Sequence, residues 1–187
     1  MAVDGQVQLM FGIAATLRPA VKDSLTTLKA QGIKRLVMLT GDNQLTAQVV
    51  AEELNLDEGH ANLLPAEKAT LVKQLKAAGH TVAFIGDGIN DSPTIANADI
   101  GIAMGSGTDV AIDTSDVVLM QSSFPALAHA HALAKQTVRN TRENIFIAIA
   151  TVVFLLIGLI VGYIYMASGM FVHEASILVV IFNAMRL

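Results

Sequence analysis

The sequence predicts an α/β domain built on a parallel sheet, followed by a helical hairpin that crosses a membrane. Three observations carry this reading. Short apolar runs alternate with helical stretches through the first two thirds of the chain. The apolar excess collects in the last third, in two runs of membrane-spanning character. And two of the short apolar runs end abruptly in clusters of acid, amide and glycine, "LTGDN" and "IGDGIND".

Composition sets the frame. The 187 residues carry a formal net charge of −4; 53% are hydrophobic and only 15% charged, too apolar for an ordinary soluble domain. There is no cysteine, which excludes disulfides and thiolate metal sites. Mild acidity gives no sign of nucleic-acid binding. Met1 to Met10 lacks the basic start and apolar run of a signal peptide.

The soluble part, residues 1–128, reads as alternating elements. "RPAVKDSLTTLKAQG" is a helix with Pro19 in its first turn and Gly32 just past its end. "RLVMLT" (35–40) is a short strand, and "GDNQLTAQVVAEELN" turns into a helix. "LPAEKATLVKQLKAAG" is another helix, opened by Pro65 and closed by Gly79. "TVAFIGD" (81–87), "IGIAM" (100–104) and "VVLM" (117–120) are strands, with Ser92–Pro93 opening a short helix after the first of them. Apolar strands separated by helices indicate a parallel sheet covered on both faces.

A helix starting at Ser123–Phe124–Pro125 leads toward the membrane, with residues 129–143 as the connection. The first span is placed at 144–166, around "IFIAIATVVFLLIGLIVGYIYM", and the second at 171–187, with "ASGM" as the link. Lys135, Arg139 and Arg142 precede the first span, Arg186 ends the second, and the link carries no base. Positive charge collects on the cytoplasmic side, so both ends of the hairpin and the soluble part are expected there, in a multi-pass protein of the cell membrane.

The chemistry is expected at the strand ends, where open α/β sheets bind ligands. Asp87 leaves its strand directly and is the best ligand for a hard divalent cation such as Mg2+. Asp91 follows four residues later at a helix start, as a second ligand or as the holder of a neighbouring group. Thr40 and the Gly41 amide can donate to phosphate oxygens. Lys68 is mismatched to the dipole of its helix start, which suggests that it neutralises a bound phosphate. TGD or GDG alone is ordinary turn chemistry. Both at strand ends, with a lysine between them, are far more specific.

"MLTGDN", "LLPAEK", "VAFIGDGINDSP" and "ADIGIAMGSGTDVAIDTSDVVL" resemble the phosphorylation domain of P-type ATPases, and "HEASILVVIFNAMRL" resembles the last transmembrane helix of their heavy-metal-transporting branch. The resemblance covers nearly the whole chain. It implies a haloacid-dehalogenase-like fold, ATP bound mainly by segments not present here, and Mg2+ on Asp87. It places Thr40, Gly41, Lys68 and Asn90 around the transferred phosphate. Asp91 would then organise the lysine and the metal site, and Asp42 would lie toward the nucleotide.

The family's nucleophilic aspartate, in a D-K-T-G-T motif, is absent from the sequence, as are the T-G-E segment and the other membrane helices. Ala15 stands where the family often has an acid before "RP". The chain therefore reads as a C-terminal piece of a longer pump, with an incomplete sheet. The strands ending in Thr40 and Asp87 are expected to lack the shared partner that carries the nucleophile. The missing N-terminal part of the pump, the lipid bilayer and a transition-metal ion are the expected partners. Two alternatives remain: a membrane-tethered phosphatase of the same fold, for which Asp4 in "AVDGQV" is the only early nucleophile, though Asp4–Gly5 reads as a hairpin turn, and a catalytically inert remnant.

Glu174 is the only acid in the hairpin, with His173 beside it and Ser176 two residues on. An ionisable residue inside a span points to a functional site. Carboxylate and imidazole suit Zn2+, Co2+ or Cd2+ better than copper(I). "HEAS" is closer to the pattern of cobalt-type pumps than to that of the copper or zinc/cadmium pumps, with Ala175 in place of a glycine.

Overall fold

The structure, a computed structural model, describes residues 2–3, 6–7, 17, 20–105, 107 and 109–186. Asp4, Gly5, Ala15 and Pro19, together with Ser106 and Thr108 of the "GSGT" stretch, lie outside the described residues. The chain divides into two compact units, Met1–Pro125 and Ala126–Leu187.

In the first unit, β1 (Ala2–Val3) and β2 (Gln6–Val7) pair antiparallel. Then follow α1 (Val21–Ala30), β3 (Val37–Leu39), α2 (Gln44–Glu53), β4 (Glu58–His60), α3 (Pro65–Ala77), β5 (Ala83–Gly86), α4 (Ser92–Ile95), β6 (Ile100–Met104), α5 (Asp109–Asp113) and β7 (Val117–Leu119). A 3-10 turn, Ile89–Asp91, links β5 to α4. All the later strands run parallel: β3 beside β4, and β5, β6 and β7 in that order. Among the described residues β3 and β5 share no ladder, so the expected single sheet is present as two parallel pieces.

Helix burial follows periodicity. On α1 the buried residues are Val21, Ser24, Leu25 and Leu28, one stripe at the 3.6-residue repeat. Val72 of α3 and Ile95 of α4 are almost wholly enclosed, as are Ala103 of β6 and Ala111 of α5.

A repeated device sets the register of the strands. Asp57, Asp99 and Asp116 stand immediately before β4, β6 and β7. Each donates its backbone N–H to a neighbouring strand and takes a backbone N–H back on its carboxylate from the same residue. Asp57 exchanges bonds with Leu36 (2.9 and 2.7 Å), Asp99 with Val82 (2.9 and 2.8 Å) and Asp116 with Gly101 (2.8 and 2.8 Å). Two bonds to one residue fix the pairing at a single position, and a slip of one residue would break both. Lysines seat two of these acids: Lys29 Nζ lies 2.9 Å from Asp57 and Lys76 Nζ 3.1 Å from Asp99.

The second unit is a pair of long helices, α6 (Phe124–Val161) and α7 (Met166–Ala184), both long and apolar enough to cross a membrane. The connecting helix (129–143) and the first span (144 onward) run together as one continuous helix that ends at Val161. The turn falls at 162–165 rather than at "ASGM". Gly162 takes φ 82° and ends α6, while Tyr163 N and Ile164 N return to Gly158 O at 2.9 and 3.1 Å. Ser168, expected in the link, belongs to the first turn of α7. Its Oγ accepts Tyr165 N at 3.1 Å and donates to Tyr165 O at 2.9 Å.

The amide of Leu36 first, then Lys29, holds the Asp57 carboxyl below the ordinary aspartate range; the amide of Val82, then Lys76, does the same for Asp99. Depressed carboxylates contribute stability above about pH 4 that is lost as pH falls through their folded values. The thermal midpoint of the first unit should therefore drop on acidification below about pH 4. An Asp57→Asn/Asp99→Asn variant should start lower at neutral pH and fall less steeply, as read by circular dichroism across a pH series.

Candidate functional site

The site is assembled from two loops and one helix. At the carboxyl end of β3 the chain turns through Thr40, Gly41 and Asp42 into α2, whose first turn is capped by Asn43 Oδ1 accepting Thr46 N at 2.9 Å. Thr40 is held on three sides. Its N–H donates to His60 O (2.9 Å), its carbonyl accepts Leu63 N (3.0 Å), and its hydroxyl donates to Asp42 Oδ2 (3.0 Å) while accepting Asp42 N (3.0 Å). Asn62 N adds a bond to Asp42 O at 2.8 Å. The loop is thus fastened to the segment that leads into α3. The hydroxyl hydrogen of Thr40, expected to face a phosphate, is directed onto Asp42 because that carboxylate lies within reach two residues on.

α3 carries the link onward. Pro65 begins it, and Glu67 accepts Leu64 N at 2.7 Å. Lys68, in the first turn, donates to Asp91 Oδ1 at 2.9 Å, with the two side chains only 14% and 16% exposed. Lysine at this unfavourable helix position therefore has a protein partner. Asp91 stands at the start of α4 but makes no side-chain cap there; its carboxylate goes to Lys68 instead.

β5 ends at Gly86 and delivers Asp87 into the same region. A Cβ on Gly86 would come within 2.5 Å of the Asp91 Cβ, so only glycine lets Asp91 close over the strand end. From the other side the loop after β6 approaches just as tightly: a Cβ on Gly107 would sit 2.9 Å from Asp87 O.

The two acids consequently differ. Asp91 is neutralised by Lys68, whereas among the described residues no basic side chain pairs with Asp87, which is exposed beside Gly88. An exposed, uncompensated carboxylate at a strand end fits a hard divalent cation, which binds carboxylate and water oxygens. Asn90 is also exposed at this mouth, in the 3-10 turn. The structure therefore brings together Lys68, Asp87, Asn90 and Asp91, and ties the Thr40–Asp42 loop to the helix that bears Lys68. Reading the sequence alone missed Gly107 and also Lys76, which binds Asn97 O (2.9 Å) and Asp99 and anchors the far end of α3. In "KATLVKQLK" (68–76) Lys76 falls about two helical turns beyond Lys68, but no sequence signal named its partner.

The membrane residues are not brought together in the same way. Ser176 Oγ donates to His173 O, 2.7 Å away on its own helix. Glu174 and Ser176, two residues apart, lie about 200° apart around α7 and face different sides. Among the described residues no cluster of three or more His, Cys, Asp or Glu could hold a metal ion.

The strands β3 and β5 thus each lead into an acid at their carboxyl ends, and a lysine from the intervening helix α3 binds Asp91 in the second of these loops. The chain belongs to the haloacid dehalogenase-like hydrolases, whose family model matches residues 2–99, and among them to the heavy-metal P-type ATPases. It is 40% identical over 197 residues to a silver-exporting P-type ATPase of Salmonella typhimurium, with all of this chain and 23% of that protein aligned. It is 42% identical over 189 residues to a manganese-exporting P-type ATPase of Mycobacterium tuberculosis, again with all of this chain and 26% of that protein aligned. The solved structure of a zinc-transporting PIB-type ATPase superposes with a TM-score of 0.84 at 38% identity, over 92% of this chain and 28% of that one. The chain thus spans about a quarter of the length of the relatives it matches.

Replacing Gly86 by alanine should push Asp91 off Lys68. We expect a stability loss of about 1–3 kcal/mol from the clash, and a Lys68 Nζ resonance that shifts as it does in Asp91→Asn. An unchanged Lys68 signal in the alanine variant would show that Asp91 does not close over the strand end as described.

Proposed function

We propose that the chain is part of an ATP-driven transporter of divalent heavy-metal cations, to which it contributes the Mg2+- and phosphate-binding half of the phosphorylation site and a carboxylate on the ion path. The observation that carries this reading is the asymmetry of the two acids: one is locked to Lys68 and the other is left unpaired at the same mouth. Phosphoryl transfer is mainly positioning and charge neutralisation, and the arrangement supplies both.

In this reading Asp87 holds Mg2+, which when bound offsets the negative charge of the phosphoryl oxygens. Lys68 offers its ammonium to the same oxygens, and Asp91 orients that ammonium so that it does not have to be ordered during transfer. Gly41 and Asn90 line the phosphate. Thr40 does so as well once its hydroxyl turns from Asp42, which otherwise stiffens the loop and lies toward the nucleotide. The aspartyl carrier and most of the ATP site come from the N-terminal part of the pump, with which this chain would assemble. The soluble part faces the cytoplasm, because Lys135, Arg139, Arg142 and Arg186 all flank that end of the hairpin.

Glu174 is the ion ligand of choice. It is exposed and the one acid on α7, a mainly apolar helix, and a charge there requires a partner. His173 is adjacent, and Ser176 is on another face; neighbouring helices of the complete pump would bring the remaining donors. The relatives export silver, copper, manganese and zinc by name. The choice of a divalent ion of the Zn/Cd/Co class therefore rests on the carboxylate and imidazole of this chain.

Co-expression with a segment bearing D-K-T-G-T tests the reading. The assembled protein should hydrolyse ATP in response to Zn2+, Co2+ or Cd2+. Asp87→Asn and Lys68→Ala should each lower that rate by about 10²- to 10³-fold, whereas Glu174→Ala should remove the metal response and leave phosphorylation by inorganic phosphate. Full activity in Asp87→Asn would sink the proposal.

A further inference from the structure

Three asparagines at one end of the hairpin form a closed ring. Asn144 Nδ2 donates to Asn140 Oδ1 at 2.9 Å, Asn140 Nδ2 donates to the backbone carbonyl of Asn183 at 2.7 Å, and Asn183 Nδ2 donates to Asn144 Oδ1 at 2.9 Å. Each side-chain amide donates, those of Asn140 and Asn144 also accept, Asn183 accepts on its backbone carbonyl, and the direction is the same all the way round. Two of the three bonds cross from α6 to α7. Arg186 clasps the ring from outside by donating to Asn183 Oδ1 at 3.0 Å, and Asn183 Nδ2 also reaches Glu143 at 3.4 Å. Asn140 is only 9% exposed.

Placement gives the ring its significance. Asn144 lies 17 residues before Val161, and Asn183 lies 17 residues after Met166. The ring therefore sits level across the two helices, about 26 Å from the turn, close to the thickness of a hydrocarbon core. The hairpin is thus tied covalently at one boundary and by amides at the other. The Asn183 carbonyl is one of the last of α7; it accepts Arg186 N at 3.2 Å, and Asn140 gives its second lone pair a bond from the neighbouring helix. A ring of this kind acts as a unit, since losing one member leaves donors and acceptors of the others unpaired.

We propose that Asn140, Asn144 and Asn183 form a joint that makes the end of α7 follow α6, so that displacement of α6 reaches the helix bearing Glu174. The joint is a positioning device: none of its members need touch the ion. Its consequence for transport rests on the transporter reading above; its existence does not.

The chain lacks cysteine, which allows a direct test in lipid nanodiscs. Spin labels at Thr137→Cys and Met185→Cys should give a narrow distance distribution, and Asn144→Leu or Asn183→Leu should broaden it at least twofold. In Asn144→Leu the side-chain NH2 groups of Asn140 and Asn183 should exchange with solvent at least tenfold faster. An equally narrow distribution in both leucine variants overturns the joint. In the pump assembled with the D-K-T-G-T-bearing segment, each leucine variant should hydrolyse ATP within about twofold of the unmodified protein yet move at least fivefold less metal per ATP. The double variant should be no worse than either single one. An unchanged ratio overturns the coupling role. An unmodified assembly that hydrolyses no ATP counts against the transporter reading, and the label distances still decide the joint.

Discussion

The constraint on which the soluble unit depends is that β3 and β5, the two strands that deliver the site, are not hydrogen-bonded to each other. Backbone pairing cannot hold the Thr40 and Asp87 loops in register, so α3 does. Its start is fastened to the β3 loop through Leu63 and Thr40, and two of its three lysines grip the other piece, Lys68 at Asp91 and Lys76 at Asn97 and Asp99. Two anchors two turns apart, about 12 Å along the helix, restrain tilt as well as distance. A single ion pair on the surface would do little of this; the low exposure of Lys68 and Asp91 means that removing either partner leaves a largely enclosed charge uncompensated.

The same arrangement explains why two acids stand so close together. Like charges four residues apart would repel if both were bare. Here Asp91 is committed to Lys68 while Asp87 stands exposed, so the two acids sit in different surroundings. The close approaches at Gly86 and Gly107 bring Asp91 against the end of β5 and the loop after β6 against the backbone of Asp87. The site is therefore a product of backbone proximity as much as of the acids themselves.

Much of this was legible in the sequence, and the rest was hidden for identifiable reasons. The β6 boundaries, Ile100–Met104, coincide with the apolar run, and Gly32 and Gly79 stand just past α1 and α3 as expected. β4 escaped notice because "EGH" is short and polar; its place comes from pairing with β3 and from Asp57, not from hydrophobicity. The aspartate before each of β4, β6 and β7 is a repeat visible in the sequence, but its meaning requires the neighbouring strand. The hairpin turn was misplaced because Ser168 looks like a link residue, whereas it caps α7. At the site, Lys68 and Asp91 could be named from their motifs, but the orientation of the Thr40 hydroxyl onto Asp42 is a matter of local geometry that no motif encodes. The asparagine ring joins residues some forty positions apart and leaves no local signature at all.

If the two strands face each other across the place of a third, their edges must report it. Alternation in a parallel ladder turns the N–H groups of Val37 and Leu39, and of Ala83 and Ile85, away from β4 and β6. Residue-resolved hydrogen exchange, on the chain alone and after assembly with the D-K-T-G-T-bearing segment, reads those four amides directly. The account predicts fast exchange in the chain alone, against slow exchange at Met38 and Phe84, and strong protection of all four after assembly. Protection already complete in the isolated monomer, or no gain on assembly, would contradict it.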